Sequence, residues 1–122
     1  MTQHYIGTKQ VVAWEAAKDG KPGYAVQYED GYTSWSPKHV FEATYIAIGH
    51  VGHLPPFHQR LIGERAQLAD KLNKLVAFTG SEQFLNLDLC AQIDLNSQLD
   101  YMLSYRRVLD ERLVALKEQP SG

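Results

Sequence analysis

This chain of 122 residues contains one cysteine, Cys90, and this excludes an internal disulfide. A lone cysteine suits a reducing compartment. Cys90 is flanked by apolar residues near the start of a helical pattern, and free cysteines are among the most buried residue types. We therefore predict that Cys90 is a small buried side chain and not a reactive thiol.

The chain lacks an excess of either charge, because 12 basic residues face 14 acidic ones and the net charge is −2. Proteins that bind polymeric nucleic acid usually carry a strongly basic face, so that class is disfavoured. A small anionic ligand needs only one or two well-placed cations and remains possible. No apolar run approaches the roughly 20 residues of a membrane helix, and the N-terminus has no signal-peptide pattern. We expect a soluble intracellular protein.

Catalytic signatures are also missing. Gly7-Thr8-Lys9 lacks the first glycine and the following helix of a phosphate-binding loop. No nucleophile–base pair and no two-carboxylate cleft can be identified. His50, His53 and His58 lie in a Gly/Pro-rich segment with spacings that match no closed zinc site. The sequence therefore predicts a non-enzymatic protein that binds no metal and needs no cofactor.

The C-terminal half has the strongest pattern, two apolar rows that repeat at steps of four and three residues. This spacing places each row on one stripe of a helix, which we call the seam. The two predicted helices span 56–78 and 88–117, and the short break at 80–88 requires an antiparallel αα-hairpin. The seam comprises Leu61, Arg65, Leu68, Leu72, Leu75 and Thr79 in the first helix, and Leu95, Leu99, Met102, Arg106, Leu109, Leu113 and Leu116 in the second.

The N-terminal part predicts a small antiparallel meander. Alternating residues suggest strands at Tyr5–Trp14, Tyr24–Tyr28 and Tyr32–Trp35, and Asp30-Gly31 is a hairpin-turn signal. Ser36 is a candidate N-cap for a short helix that Pro37 would open.

Residues 45–48 form a candidate fourth, edge strand. The predicted fold class is thus α+β, with a small β-meander and a short helix followed by a long αα-hairpin. We expect one domain over 1–122, made of a β-rich part at 1–49 and the hairpin at 56–118.

The hairpin has more apolar residues than one seam needs, which predicts a homo-oligomer. The alternative is that the β part folds over the helices and covers the surplus. Closed symmetric assemblies are the usual outcome of a self-complementary helical surface. The surplus residues are Ile62, Ala69 and Val76 on the first helix, and Leu89, Ile93, Leu103 and Val108 on the second.

Two arginines are candidates for an anion site. Arg60 begins the first helix and Arg112 lies towards the end of the second, and these ends meet in an antiparallel hairpin. Two guanidinium groups repel unless an anion lies between them, and guanidinium can hold phosphate through two N–H donors. Alternatively, each arginine is solvated or paired with a neighbouring carboxylate.

Four other side chains could contact a ligand. Phe84 in the inter-helix segment either plugs the hairpin tip or exposes a ring on which a base can stack. Asn86 and Asn96 could read base edges or hydroxyls, and a buried Asn96 amide would need partners. Trp35 belongs to an aromatic group on the small sheet, which is either core or the wall of a pocket.

Two stretches together resemble the first type of Thoeris anti-defence sponge proteins of phages, and the helical half is also similar to phage sponges that oppose CBASS immunity. The first stretch is Tyr5-Ile6-Gly7-Thr8-Lys9 with Gly31-Tyr32-Thr33-Ser34-Trp35-Ser36-Pro37-Lys38-His39-Val40-Phe41-Glu42. The second is Leu68–Phe78, Phe84, Gln98, Met102, Tyr105, Leu109 and Arg112-Leu113.

The resemblance implies a non-enzymatic protein of the host cytoplasm that sequesters small cyclic nucleotides. Its ligands would be cyclic ADP-ribose isomers such as glycocyclic ADP-ribose, with cyclic di- or trinucleotides in a separate site. The assembly would be a dimer, or a hexamer built as a trimer of dimers. By this analogy Phe84 stacks on adenine, Asn86 or Asn96 donates a hydrogen bond, and Arg112 meets a phosphate.

In the same analogy Arg60 and Arg112 together line a site for a cyclic trinucleotide.

Two other functions compete with sequestration. The first alternative is a phage structural or interaction protein that assembles through its hairpin. The second is a hydrolase that destroys the signal.

Overall fold

The computed structural model describes residues 1–118. The chain divides into two compact units, one from Met1 to Tyr45 and one that begins at Ile46. The first holds a small sheet and the second holds the long helices, which confirms the α+β class. That the two units form a single domain over 1–122 stays a prediction.

The first unit is a three-stranded antiparallel sheet in the order β1-β2-β3, followed by a short helix. The turn between β2 and β3 has Gly31 at a φ of 89°, the positive value for which glycine is suited. The Tyr32 amide also donates to the Asp30 side chain at 3.0 Å. The elements are β1 (Val12–Glu15), β2 (Gly23–Gln27), β3 (Thr33–Pro37) and α1 (Lys38–Thr44).

Aromatic stacking attaches α1 to the sheet. The ring of Tyr24 lies 4.3 Å from that of Phe41, which lies 4.9 Å from that of Tyr45. The Tyr24 hydroxyl donates to a Glu42 carboxylate oxygen at 2.8 Å. This hydrogen bond raises the pKa of the Tyr24 phenol above its usual range, since the carboxylate holds the phenolic proton.

Three predictions for residues 1–48 were wrong. The first strand covers Val12–Glu15 alone, because Val12 pairs with Gln27, the last residue of β2, and earlier residues have no ladder partner. Residues 45–48 join no strand of the sheet. Ser36 does not cap α1, because it pairs with Tyr24 in the ladder and extends β3 by two residues.

The second unit contains the predicted helical hairpin. Its helices are α2 (Pro56–Thr79), the single turn α3 (Glu82–Leu85) and α4 (Leu89–Glu118). The Ser81 side chain caps α3 by accepting from the Phe84 amide, and the Asp88 side chain accepts from the Ala91 amide at 2.8 Å near the start of α4. The break between the long helices therefore has its own hydrogen-bonded turn.

The seam is confirmed, since every predicted seam residue is buried or half-buried. Leu61 and Leu68 of α2 share a core cluster with Leu109 of α4. Arg65 Nε donates to Asp110 Oδ1 at 2.9 Å, an ion pair that joins the two antiparallel helices beside this cluster.

Cys90 is exposed, so the prediction that it is buried was wrong. Its apolar neighbour Leu89 is itself 69% exposed. The seam of α4 extends from Leu95 back to Gln92. Cys90 precedes Gln92 by two residues, a rotation of roughly 200° about the helix axis, so it lies on the outer surface of the helix.

Replacing Gly23 with alanine should destabilise the β unit. An added Cβ would lie 2.4 Å from Trp35 Cζ2 and 2.5 Å from the Ser36 carbonyl oxygen, and the carbonyl oxygen cannot move without disturbing the β2–β3 ladder. Overpacking of this kind costs about 1–3 kcal/mol. Both tryptophans lie in this unit, so the urea midpoint followed by tryptophan fluorescence measures the loss.

Gly7→Ala is the matched control, because nothing lies within 4 Å of its added Cβ. Equal midpoints for Gly23→Ala and Gly7→Ala would contradict the close packing of Trp35 on Gly23.

Candidate functional site

The hairpin has two sides of contrasting composition, and the seam separates them. One residue advances a helix by roughly 100°, so residues directly before a seam position lie on one side and residues directly after it lie on the other. We call the first side the arginine face, because it contains Arg60 and Arg112. We call the second side the aliphatic face, because it contains Ile62, Ala69 and Val76.

The helical rise puts Arg60 and Arg112 at similar heights along the hairpin, and that they form one anion site stays a prediction. Arg60 precedes Arg65 by five residues and Arg112 follows Asp110 by two, so a rise of 1.5 Å per residue offsets them by roughly 4–5 Å along the axis. Both are exposed, and neither forms an ion pair within residues 1–118. Two guanidinium groups without an ion pair therefore lie on the arginine face, at the end of the hairpin away from the turn, which we call the open end.

A shallow groove of about 420 Å³ lies further along the same face of α4, towards the turn. Tyr101 and Tyr105 lie one helical turn apart on it, 75% and 43% exposed, and Tyr105 is roughly 10 Å from Arg112 along the helix axis. Phenol rings beside guanidinium groups offer stacking surfaces and hydrogen-bond donors to a nucleotide. The groove is lined by Asp94, Ser97, Gln98, Tyr101, Met102 and Tyr105.

The aromatic ring in the turn is packed. Phe84 is only 7% exposed and meets Phe78 edge to face with ring centroids 6.3 Å apart. The structure thus places Phe84 as the plug of the hairpin tip, the first of the two alternatives that the sequence left open. Asn86 follows it at the end of α3 and is exposed.

Asn96 lies on the aliphatic face, on the opposite side of α4 from the groove, and its amide is exposed. Sixteen residues separate it from Arg112, a distance of roughly 24 Å along the helix. A single small ligand cannot span that length. The predicted site residues of the second unit therefore form two groups, one at the open end and one towards the turn.

Trp35 lies in the first unit, where its indole has a structural partner. The ring nitrogen donates to the Ala16 carbonyl oxygen at 2.7 Å, and the Lys18 ammonium lies 5.8 Å from the ring centroid. The side chain is half-buried against Gly23. A part of its ring remains available for contact.

Sequence reasoning missed the pairing of Tyr101 with Tyr105. Tyr105 entered only through the family resemblance, and Tyr101 was not singled out. The signal was present, because two tyrosines spaced by four residues, each directly before a seam position, must lie on one side of α4.

Within residues 1–118, no group of three His, Cys, Asp or Glu side chains is arranged to hold a metal ion. None of the helices in this range combines the length and apolarity that crossing a bilayer requires.

These features define a small α+β protein whose helical hairpin presents cationic and aromatic side chains on an open surface. Residues 55–115, half of the chain, match the family model of Sequestin, and the protein belongs to that family. The match covers the hairpin, and the family name indicates a sequestering role. The predicted membership in a family of sequestering proteins is thereby confirmed. No curated protein and no solved structure is significantly similar to this chain.

Phe84→Ala should destabilise the hairpin by about 3–5 kcal/mol, because it removes a buried ring and leaves a cavity beside Phe78. Thermal or urea unfolding followed by circular dichroism at 222 nm measures the effect. Leu85→Ala is the control, since Leu85 is 71% exposed and its truncation should change stability by less than about 0.5 kcal/mol. Similar losses for the two variants would mean that Phe84 is not the plug.

Proposed function

We propose that this protein sequesters small cyclic nucleotides that act as immune signals and releases them unaltered. The ligands are cyclic ADP-ribose isomers such as glycocyclic ADP-ribose, with CBASS cyclic di- and trinucleotides as a second class. The site of action is the host cytoplasm. Membership in the Sequestin family supports the sequestering role, and the resemblance to Thoeris anti-defence sponges supports this ligand class.

The observation that carries the ligand chemistry is the pair of arginines on the arginine face. Arg60 and Arg112 bring two positive charges to one end of the hairpin without an ion pair in the described part of the chain. Each can donate two hydrogen bonds to a phosphate, and such charge-assisted bonds are stronger than neutral ones. A phosphate bound between them would relieve their mutual repulsion.

The tyrosine groove fits the rest of such a ligand. Tyr101 and Tyr105 can stack on a base or ribose while the arginines hold the phosphates. Trp35, Asn86 and Asn96 remain proposed contacts, whereas the ring of Phe84 is packed against Phe78 and supports the turn that carries Asn86. Since Asn96 lies roughly 24 Å from Arg112 along the helix, one ligand can touch both only if they come from different chains.

A homo-oligomer is therefore part of the proposal, either a dimer or a hexamer built from three dimers. Binding without turnover requires complementarity to the ligand itself and not to a transition state. The absence of a catalytic motif from the sequence agrees with that role.

Incubation with ligand followed by recovery tests the function directly. The purified protein is mixed with TIR-derived cyclic ADP-ribose isomers or with cyclic oligonucleotides, and free ligand is measured by chromatography after filtration. We expect depletion of the free ligand and its intact return after the protein is denatured by heat. Ligand at 100 times its Kd should also stabilise the fold by about 2.7 kcal/mol.

Each outcome separates the functions. A degraded nucleotide would indicate a hydrolase. No depletion and no thermal shift with any cyclic nucleotide would leave the alternative of a structural or interaction protein, which the exposed apolar side chains Leu89, Ile93 and Leu103 favour.

Arg60→Gln and Arg112→Gln should each weaken binding about 10- to 100-fold, the loss expected for one charge-assisted contact. Isothermal titration calorimetry measures the change. Lys117→Gln is the control, because Lys117 has the same charge and lies near the same end of the hairpin, but directly follows seam residue Leu116 on the other face. Equal affinities for all three variants would remove the arginines from the site.

A further inference from the structure

The aliphatic face of α4 is complementary to itself about Leu103 over residues 93–114. Over residues 93–114, the residues directly after a seam position, with Gln92 counted as one, are Ile93, Asn96, Asp100, Leu103, Arg107, Asp110 and Val114. Beyond this stretch the row ends in Leu89 and Lys117. Laid against itself in the antiparallel direction, this row puts Ile93 opposite Val114, Asn96 opposite Asp110 and Asp100 opposite Arg107. Leu103 meets its own copy.

We propose that two copies of this protein associate through this face, with α4 antiparallel to its partner and the twofold axis at Leu103. The inference rests on the self-association that accompanies the proposed function, but it does not depend on any ligand. It adds the face, the direction and the register of the contact.

The charges agree with this pairing. A twofold axis at Leu103 brings Asp100 of each chain to Arg107 of the other, so two ion pairs flank the central leucines. Within one chain Arg107 Nη1 contacts Glu111 at 2.9 Å, with both side chains 65% exposed. Exposed pairs of this kind contribute little, so Arg107 can exchange one carboxylate for another at small cost.

Other registers are disfavoured by the same charges. Moving the twofold axis from Leu103 to Asp100 places Asp100 against Asp100 of the other copy. Moving it to Arg107 places Arg107 against Arg107 of the other copy. Within residues 93–114 both shifts also bring an apolar residue against a charge, whereas the proposed register does so only at its ends, where Leu89 faces Lys117. Like charges in contact discriminate strongly against a wrong pairing.

The apolar and polar groups outside the centre are matched as well. Ile93, Leu103 and Val114 are 54%, 40% and 52% exposed in the single chain. Asp110 uses Oδ1 for Arg65, and the exposed amide of Asn96 on the other copy provides a donor for Oδ2. The proposed contact thus pairs apolar with apolar and donor with acceptor.

A groove of about 440 Å³ lies where the contact requires it. Its walls include Leu103, Arg107, Asp110 and Val114. The antiparallel register places Ile93 of the other copy over this groove, beside Leu103 and Val114. The other walls of the groove include the charged residues Arg106, Glu111 and Glu118. The row on α2 beside it, Ile62, Ala69 and Val76, contains no charge and can flank the contact.

Paired charge reversals test the register. Asp100→Arg alone and Arg107→Asp alone each create two like-charge contacts, and we expect the dimer dissociation constant to rise at least tenfold. The double variant Asp100→Arg/Arg107→Asp restores both pairs and should dimerise. The two single variants mixed together should form a heterodimer, since every contact between them again joins opposite charges. Sedimentation equilibrium measures all four samples.

A cysteine on the axis gives a second readout. Leu103→Cys in a Cys90→Ser background should form a disulfide-linked dimer under mild oxidation, because a residue on the twofold axis meets itself. Val108→Cys in the same background is the control, since Val108 is 42% exposed but lies on the arginine face.

The outcomes distinguish this inference from the proposed function. A dimer that ignores both charge reversals and does not crosslink at position 103 overturns the register while self-association stands. A monomeric wild-type protein overturns both the contact and the oligomer. Ligand binding is measured separately, so a dimer with this register that binds no cyclic nucleotide supports the inference and contradicts the function.

Discussion

The packing of α2 against α4 along one leucine seam is the constraint on which the rest of the second unit depends. Leu109 and Leu72 are each only 1% exposed, and burying such side chains stabilises a fold by about 1.5–3 kcal/mol apiece. An ion pair between Arg65 and Asp110 joins the two helices beside the seam. Once the register is set, every other residue of the two helices is assigned to one side of the hairpin.

The two faces of the hairpin suit two different tasks, ligand binding and self-association. The arginine face collects guanidinium groups and exposed tyrosine rings, which suit an anionic aromatic ligand. The aliphatic face collects short apolar side chains and a symmetric set of charges, which suit a second copy of the chain. A sequestering protein gains from this separation, because an assembly contact on the aliphatic face leaves the arginines and tyrosines on the other face open.

The hairpin could be predicted well because its signal is local. Each seam residue follows the last by three or four positions, and the predicted helices agree with the observed ones within one residue at each end. Strand limits could not be predicted in this way. Where β1 begins depends on where β2 ends, so the alternating residues before Val12 have no ladder to join. Cys90 was misjudged because apolar neighbours along the chain do not show which side of a helix a residue occupies.

The sequence by itself determined the α+β class, the two long helices and their antiparallel course, because periodicity and a short connection favour that arrangement. Only the tertiary structure decided that Phe84 is packed against Phe78, that Tyr101 and Tyr105 line one groove, and that Asn96 is directed away from it. Those facts depend on which neighbours surround each side chain in three dimensions. A linear pattern records spacing along the chain, but burial is set by contacts between residues that are distant in it.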